Sequence, residues 1–221
     1  MRIQAPGEYV HVYDRGMQKQ PIFETDSDRL RFLFLTLTFQ GEHIIKNVSR
    51  ELKQSVQNSI LHIDTDLVKE VLKNRMVEVV NFCLMPNHFH FLLRELKDGG
   101  IAKYMQRLLI AYTKYFNKRH NKSGHLLQGS YKSVHVGNDE QLMYLSAYIH
   151  KNPSEIRGWA GKEDRFPWSS YSDCLNKNRF GNLLVTDIVT KRFIENKGMS
   201  TYREYVATSP AKEITKQLFK I

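Results

Sequence analysis

Two histidines in the stretch MPNHFHFLL (residues 85–93) are close enough to act together. His88 and His90 are separated by one residue within a run of large apolar side chains. Side chains alternate between the faces of a β-strand, so both imidazoles would share one face, and Phe89 and Phe91 the other. Two converging imidazoles commonly hold a divalent cation. The pattern equally fits two hydrogen-bonded core histidines, and two ligands are too few for a closed structural zinc site.

A second candidate pair lies in the stretch YIHKNP, which begins at Tyr148. Tyr148 and Asn152 are four residues apart, so they project from one side of a helix. The amide oxygen of Asn152 could be a third metal ligand, and the phenol of Tyr148 could attack phosphorus where cations stabilise the developing charge. The alternative is a tyrosine at the edge of the core and an asparagine that caps the helix before Pro153. Spacing alone does not separate these interpretations.

The positive charge of the chain is concentrated in one segment. The 221 residues carry a formal net charge of +10, yet residues 99–138 contain no Asp or Glu. A local excess of cations favours a polyanionic partner, and nucleic acid before membrane. On a helix, the first four cations of this segment form a row opposite the apolar face. The predicted DNA contacts are Lys103, Arg107, Lys114, Lys118, Arg119, Lys122 and Lys132.

Hydrophobic periodicity predicts an α+β fold. The pattern indicates strands at 8–14, 77–85, 88–95 and 131–136, and helices at 27–40, 100–118 and 139–151. Pro86-Asn87 predicts the turn of a hairpin, Ser27 and Asp28 an N-cap, and Asn138 another N-cap with Gln141 at the capping-box position. This order predicts an antiparallel sheet with helices packed on one or both faces, as in the split βαβ class.

Composition along the chain predicts a catalytic domain at residues 1–153 and an extension at 154–221. The domain is interrupted by a polar insertion at 41–76, with helical pieces around 45–60 and 65–74. Residues 154–180 look irregular, and the last forty residues predict two or three short helices. Cys83 fits a small buried hydrophobic residue better than a reactive thiol. No apolar run suits a membrane span or signal peptide, so we expect a soluble, cytoplasmic protein without a membrane partner.

Four stretches in this order resemble the IS200/IS605-type single-tyrosine transposases, and among them most the REP-associated branch: MPNHFHFLL, LLQGSYKSVHV, YLSAYIHKNP and FPWSSY. The opening EYVHVYDRGMQKQPIFETDSDRLRFL is similar too, so the resemblance covers about residues 8–172. The tail LVTDIVTKRFIENKGMSTYREYVATS resembles the C-terminal helical region of longer members.

The resemblance implies an HUH endonuclease with a ferredoxin/RRM-like fold. His88, His90 and Asn152 would hold Mg²⁺ or Mn²⁺, and Tyr148 would be the nucleophile. The implied reaction is cleavage of single-stranded DNA near a hairpin through a 5′-phosphotyrosine, followed by rejoining to another 3′-end. Such a protein would associate with the nucleoid when DNA-bound. A homodimer is a further implied assembly, in which the tyrosine would serve its own subunit or its partner's.

Three other functions remain open at this stage. A domesticated protein could bind a hairpin without cutting it, although the complete set of His88, His90, Tyr148 and Asn152 argues for retained catalysis. A relaxase or replication initiator would also carry paired histidines, but YIHKNP and WSSY point away from those enzymes. A structural metal protein has little support from two imidazoles and one amide. Tyr112 and Tyr115 lie among lysines, but their helical angles place them on the apolar face.

Overall fold

The structure is a computed structural model that describes residues 5–57, 60–195 and 201–214. Within these ranges, four strands form an antiparallel sheet in the order β4-β5-β1-β6, and two short strands form a separate hairpin. The strands are β1 (Tyr9–Arg15), β2 (Val56–Gln57), β3 (Ile60–Leu61), β4 (Val77–Met85), β5 (His88–Glu95) and β6 (Lys132–Val136). This architecture, with helices on both faces of the sheet, confirms the predicted α+β class.

The helices were predicted closely in the core and less closely elsewhere. The helix after the first strand begins at the N-cap Thr25, whose side chain and that of Asp28 form a capping box, and not at Ser27 as predicted. The side chain of Asn138 caps the later helix, as expected. The helices are α1 (Asp26–Thr38), α2 (Val48–Ser55), α3 (Thr65–Lys73), α4 (Gly100–Arg119), α5 (Asp139–Lys151), α6 (Tyr171–Leu175), α7 (Asp187–Glu195) and α8 (Tyr202–Thr208).

One face of the sheet packs against α1 and α4. Phe89 and Phe91 are fully buried there, and Phe32 of α1 contacts both rings. Tyr112 is buried in the same layer and donates its hydroxyl to the carbonyl of Ile22 (2.5 Å). The alternation predicted from MPNHFHFLL is therefore confirmed, since the phenylalanines occupy this core and the histidines point to the other side.

The opposite face packs against α5, α7 and α8. Val80, Leu92, Leu145 and Ile149 are fully buried in this second core. A bulge in β4 between Val79 and Asn81 shifts the register against β5. Bulges of this kind re-aim side chains, and here both Val80 and Asn81 contact the α5 layer.

Residues that follow α5 cover the outer edge of β4, which is the last strand on one side of the sheet. Ser170 accepts a hydrogen bond from the amide of Phe82 (2.8 Å), and Trp168 accepts one from the amide of Leu84 (2.8 Å). Val185 donates to the carbonyl of Val79 (2.9 Å). An unpaired edge strand is a site of aggregation, and covering it prevents that. The extension therefore completes the sheet, while the predicted domain boundary at residue 153 stays a prediction.

The insertion at 41–76 is only partly helical, which corrects the prediction for 45–60. Its first helix ends at Ser55, and Val56 then pairs with Leu61 in the β2-β3 hairpin. The β-branched Val56 favours strand geometry. The prediction missed this because the preceding polar residues follow a helical period. In the part of the chain that the structure describes, no helix has the length and apolarity needed to cross a membrane.

Candidate active site

A cavity of about 350 Å³ brings together the four residues that the sequence predicted for catalysis and metal binding. It opens at the end of the sheet where β1 and β4 finish and β5 and β6 begin. The lining residues are Tyr13, Asp14, Arg15, His88, His90, Gln128, Lys132, Tyr148, Asn152 and Glu155.

Strand register places cations beside the paired histidines. On β1, Tyr13 lies opposite His90, and Arg15 lies opposite His88. Lys132 of β6 lies opposite Tyr13. Residues directly opposite each other project from the same face and have neighbouring side chains. The histidines therefore share one face of the sheet with a guanidinium and an ammonium group that are distant in sequence.

Both histidines use Nδ1 for hydrogen bonds to neighbouring side chains. Asn87 Oδ1 lies 2.7 Å from His88 Nδ1, and His11 Nε2 lies 3.0 Å from His90 Nδ1. The two rings of the pair are nearly perpendicular, with centroids 5.0 Å apart. His88 and His90 are both more than nine-tenths buried.

Helix α5 presents Tyr148 and Asn152 to these rings. The ring of Tyr148 meets that of His90 edge to face, with centroids 5.4 Å apart. Asn152 Nδ2 donates to the carbonyl of Tyr148 (2.8 Å), which holds the amide against the last turn of the helix. Asn152 and His88 line the same cavity. The i, i+4 spacing has thus placed both residues in one site.

His150, between these two residues, anchors α5 to the rest of the protein. It is fully buried, and Asn81 Nδ2 donates to its Nε2 (2.8 Å). Its other nitrogen lies 2.7 Å from the hydroxyl of Tyr202 on α8, and Ser170 Oγ lies 2.9 Å from Nε2. The WSSY stretch and the C-terminal region therefore share in positioning the helix that carries Tyr148.

Burial keeps the imidazoles neutral and the phenol protonated. Desolvation lowers the pKa of His88 to about 4, with Arg15 as the next cause, and it lowers the pKa of His90 well below its ordinary value. Desolvation, followed by the charge of Glu155, raises the pKa of Tyr148 to about 12, although Arg15 opposes this shift. Neutral imidazoles are the form that binds metal, whereas the tyrosine needs positive charge nearby to act as a nucleophile.

The donor set fits an open divalent-cation site. Asn87 Nδ2 donates to the carbonyl of Lys19 (3.0 Å), so Asn87 Oδ1 faces His88 and can only accept. His88 Nδ1 then carries the proton, and its Nε2 keeps a lone pair next to the Asn152 amide. Within the described ranges, no cluster of three or more His, Cys, Asp or Glu side chains is arranged for a metal. The candidate ligands are therefore two imidazoles and one amide, which leave positions for water or substrate.

The cavity residues that sequence reasoning left unassigned include Asp14, Arg15, Gln128 and Glu155. Arg15 is exposed at the end of β1, and Gln128 donates its backbone amide to the Arg15 carbonyl (2.9 Å). Asp14 Oδ2 is buried without a hydrogen-bond partner among the described residues. Desolvation raises the pKa of Asp14 to about 6, while its bond to the Arg15 amide and the charge of Lys132 oppose the shift. The signal that could have identified Asp14 and Arg15 from the sequence is a charged pair at the end of a predicted strand.

The predicted DNA contacts are divided between the two ends of the sheet. Lys132 lines the cavity. Helix α4 packs on the phenylalanine face, begins beside Met76 at the far end of β4, and finishes near the cavity end. Lys103 consequently lies at the far end, where it pairs with Glu42 (3.7 Å). The other predicted contacts on or just after α4 lie toward the cavity end, where Lys114 and Lys118 are exposed, Arg119 pairs with Asp28 and Lys122 with Glu24.

Arg107 has structural contacts within the chain, and its place in the DNA-binding row stays a prediction. Its guanidinium donates to the carbonyls of Gly41 (2.7 Å) and His43 (2.8 Å). It also lies over the ring of Phe39, 4.8 Å from the centroid. These contacts fasten the start of the insertion to α4. Tyr112 and Tyr115 are on the phenylalanine face of the sheet, which confirms their assignment to the core.

Comparisons with known proteins identify a family and a similar fold. A family model described as "Transposase IS200 like" matches residues 40–152, which are 113 of the 221 residues and include both histidines, Tyr148 and Asn152. Among solved structures, the fold is similar to that of a REP-associated tyrosine transposase bound to a REP hairpin. That similarity has a TM-score of 0.50 and 12% sequence identity, and covers 80% of this chain and 84% of the other. No curated protein matches the chain at a significant level.

The family match spans the β4-β5 hairpin, α4, β6 and α5, and it includes six of the ten residues that line the cavity. It favours a transposase over the relaxase and replication-initiator alternatives. The chain belongs to the IS200-like transposase family.

Proposed function

We propose that this protein is a metal-dependent endonuclease and strand transferase that cleaves single-stranded DNA near a hairpin, with Tyr148 as the nucleophile. The observation that carries the proposal is the convergence of Tyr148, His88, His90 and Asn152 in one cavity. The hairpin substrate is inferred from the family and from the REP hairpin bound to the structurally similar transposase.

The proposed reaction is a transesterification at phosphorus. Tyr148 Oη loses its proton and forms a bond to the phosphorus, while the bond from phosphorus to the 3′-oxygen breaks. The released 3′-oxygen takes up a proton, so the reaction has no net proton change. The products are a 5′-phosphotyrosine on one DNA end and a 3′-hydroxyl on the other. Attack by a different 3′-hydroxyl reverses these steps and joins new strands.

The proposed metal site consists of His88, His90 and Asn152. Bound Mg²⁺ or Mn²⁺ would supply Lewis-acid polarisation of the phosphate. Imidazole ligands suit Mn²⁺ better, whereas the amide and phosphate oxygens suit either ion. The chain's own contribution is to hold both rings neutral by burial and to fix the amide of Asn152 against the helix.

Positive side chains at the cavity would bind the DNA backbone and offset the charge on the phosphate. Arg15 and Lys132 line the cavity, and the charge of Arg15 partly offsets the burial that raises the pKa of Tyr148. Lys118 is exposed toward the same end of the sheet, on the helix that covers the opposite face. Phosphate contacts of this kind position the strand and carry most of the affinity.

The deciding experiment uses labelled single-stranded hairpin DNA from the flanks of the protein's own gene. With Mg²⁺ or Mn²⁺ present, we expect a covalent protein–DNA adduct on a denaturing gel. The adduct should disappear in Tyr148→Phe and persist in Tyr144→Phe, the same chemical change one turn earlier on α5. An adduct that survives Tyr148→Phe but not Tyr13→Phe would transfer the nucleophile to β1. Tight hairpin binding without an adduct at any flank would favour a binding protein.

A further inference from the structure

His11 is a buried histidine without a role in the proposed chemistry. It lies on β1 with no exposed surface, between β5 and β6. Its ring lies beside that of His90, with planes 15° apart and centroids 5.2 Å apart. His11 Nε2 lies 3.0 Å from His90 Nδ1. Nδ1 of the candidate ligand His90 is therefore hydrogen-bonded to the imidazole of His11 on the neighbouring strand.

The other candidate ligand is held in an equivalent way. Asn87 accepts the Nδ1 proton of His88, which leaves His88 Nε2 with a lone pair. Partners of this kind fix the tautomer and orientation of metal-binding imidazoles. For His90, the structure shows His11 in the corresponding position.

The pair His11–His90 has two neutral tautomeric arrangements. In one, His90 Nδ1–H donates to His11 Nε2, and His90 Nε2 keeps a lone pair. In the other, His11 Nε2–H donates to His90 Nδ1, and His90 Nε2 carries a proton that excludes metal. His11 Nδ1 has no hydrogen-bond partner among the described residues in either arrangement. In the first arrangement His11 Nδ1 carries a proton without an acceptor in the described part of the chain, and in the second it has a lone pair without a donor there. A cation bound at His90 Nε2 would select the first arrangement and offset the cost of that unpaired N–H.

We propose that His11 is a positioning residue for His90, which accepts a hydrogen bond from His90 Nδ1–H and so keeps His90 Nε2 available to a divalent cation. The inference rests on the metal site of the proposed function. His11 does not touch the substrate in this role, and acts only through the orientation and tautomer of its neighbour.

The first test measures Mn²⁺ affinity by isothermal titration calorimetry. His11→Phe fills the space without an acceptor and should weaken binding by about 10-fold or more, the usual effect of losing an outer-shell partner. His11→Gln restores an acceptor oxygen, so its Mn²⁺ affinity should stay within about threefold of wild type, a smaller loss than that expected for His11→Phe. Val134→Ala, directly opposite His11 on β6, removes packing but no nitrogen and should leave affinity unchanged. Thermal melting of each variant checks that it folds.

The second test uses the wild-type protein and does not depend on folding of a variant. Histidine labelled with ¹⁵N reports tautomers by NMR, with Zn²⁺ as a diamagnetic probe and His90→Gln to assign the signals. In the loaded protein, His90 should carry its proton on Nδ1. A proton on Nε2, or equal Mn²⁺ affinity of wild type and a folded His11→Phe, would overturn the role of His11 alone. Wild-type protein that binds no Mn²⁺ would overturn the metal site as well.

Discussion

The phenol ring of Tyr148 and the imidazole of His90 are in edge-to-face contact, with centroids 5.4 Å apart and planes at 87°. In sequence the two residues are separated by the rest of β5, all of α4, a loop, β6 and most of α5, yet both line one cavity. This contact joins the proposed nucleophile to the proposed metal site, so that a change at either should affect cleavage.

Replacing His88 should separate cleavage from DNA binding. We expect His88→Ala to lower cleavage by at least about 100-fold, because one ligand of the proposed metal site is lost. Hairpin affinity should stay within about threefold, since cations supply most of it. Cleavage gels and fluorescence anisotropy measure the two quantities. His135→Ala, which removes an imidazole beside Glu8 at the far end of β6, is the matched control. Equal losses of binding and cleavage would contradict this separation.

Two lysines at opposite ends of the sheet test where DNA binds. Lys132 lines the cavity, whereas Lys103 pairs with Glu42 at the far end. Lys132→Ala should weaken hairpin binding and lower the slope of log affinity against log salt by about one, whereas Lys103→Ala should change neither. Anisotropy titrations at several salt concentrations provide the measurement. A larger effect at Lys103 would show that DNA follows α4 away from the cavity.

Buried imidazoles should make the protein less stable in mild acid. Desolvation lowers the pKa of both His11 and His150 to about 3, from 6.5 in the unfolded chain. Below pH 6.5 the unfolded chain therefore binds protons that the folded chain rejects, so the free energy of unfolding falls by about 1.4 kcal/mol per pH unit for each such group. Asp14 acts oppositely between its ordinary value of 3.8 and about 6, because its pKa is raised.

Urea unfolding between pH 7.5 and 4.5 measures this dependence. His150→Gln removes one of the titrating groups and should reduce the slope by about one proton, whatever its effect on stability at neutral pH. A variant slope equal to that of wild type would show that His150 is protonated in the folded state.

The WSSY stretch should matter for stability through Ser170. Its hydroxyl accepts from the amide of Phe82 and lies beside the buried ring of His150. Ser170→Ala leaves that amide unpaired and should lower the free energy of unfolding by about 1–3 kcal/mol. Ser172→Ala, two residues later and partly exposed, should change stability little. Urea unfolding of both variants checks the difference, and similar values for both would remove the proposed role of Ser170.

Local periodicity was sufficient to predict the face on which each candidate residue lies. The alternation in MPNHFHFLL placed His88 and His90 opposite Phe89 and Phe91, and the helical spacing placed Tyr148 with Asn152. These predictions depend only on neighbours in the chain and on the periods of 2.0 and 3.6 residues. The hairpin at Pro86-Asn87 and the N-cap at Asn138 are local in the same sense.

Tertiary structure decided what surrounds those residues. The central position of β1 brings His11 and Arg15 beside the paired histidines, although strand order and register are set by contacts distant in sequence. The fold also places α4 on the opposite face of the sheet from the cavity. Lys103 therefore lies away from the site, and Arg107 forms hydrogen bonds with the start of the insertion. Helical angles describe directions around a single helix axis, whereas the sheet face that a helix covers depends on long-range packing. For this reason the sequence was sufficient to identify the four candidate residues, and the fold determined which residues surround them.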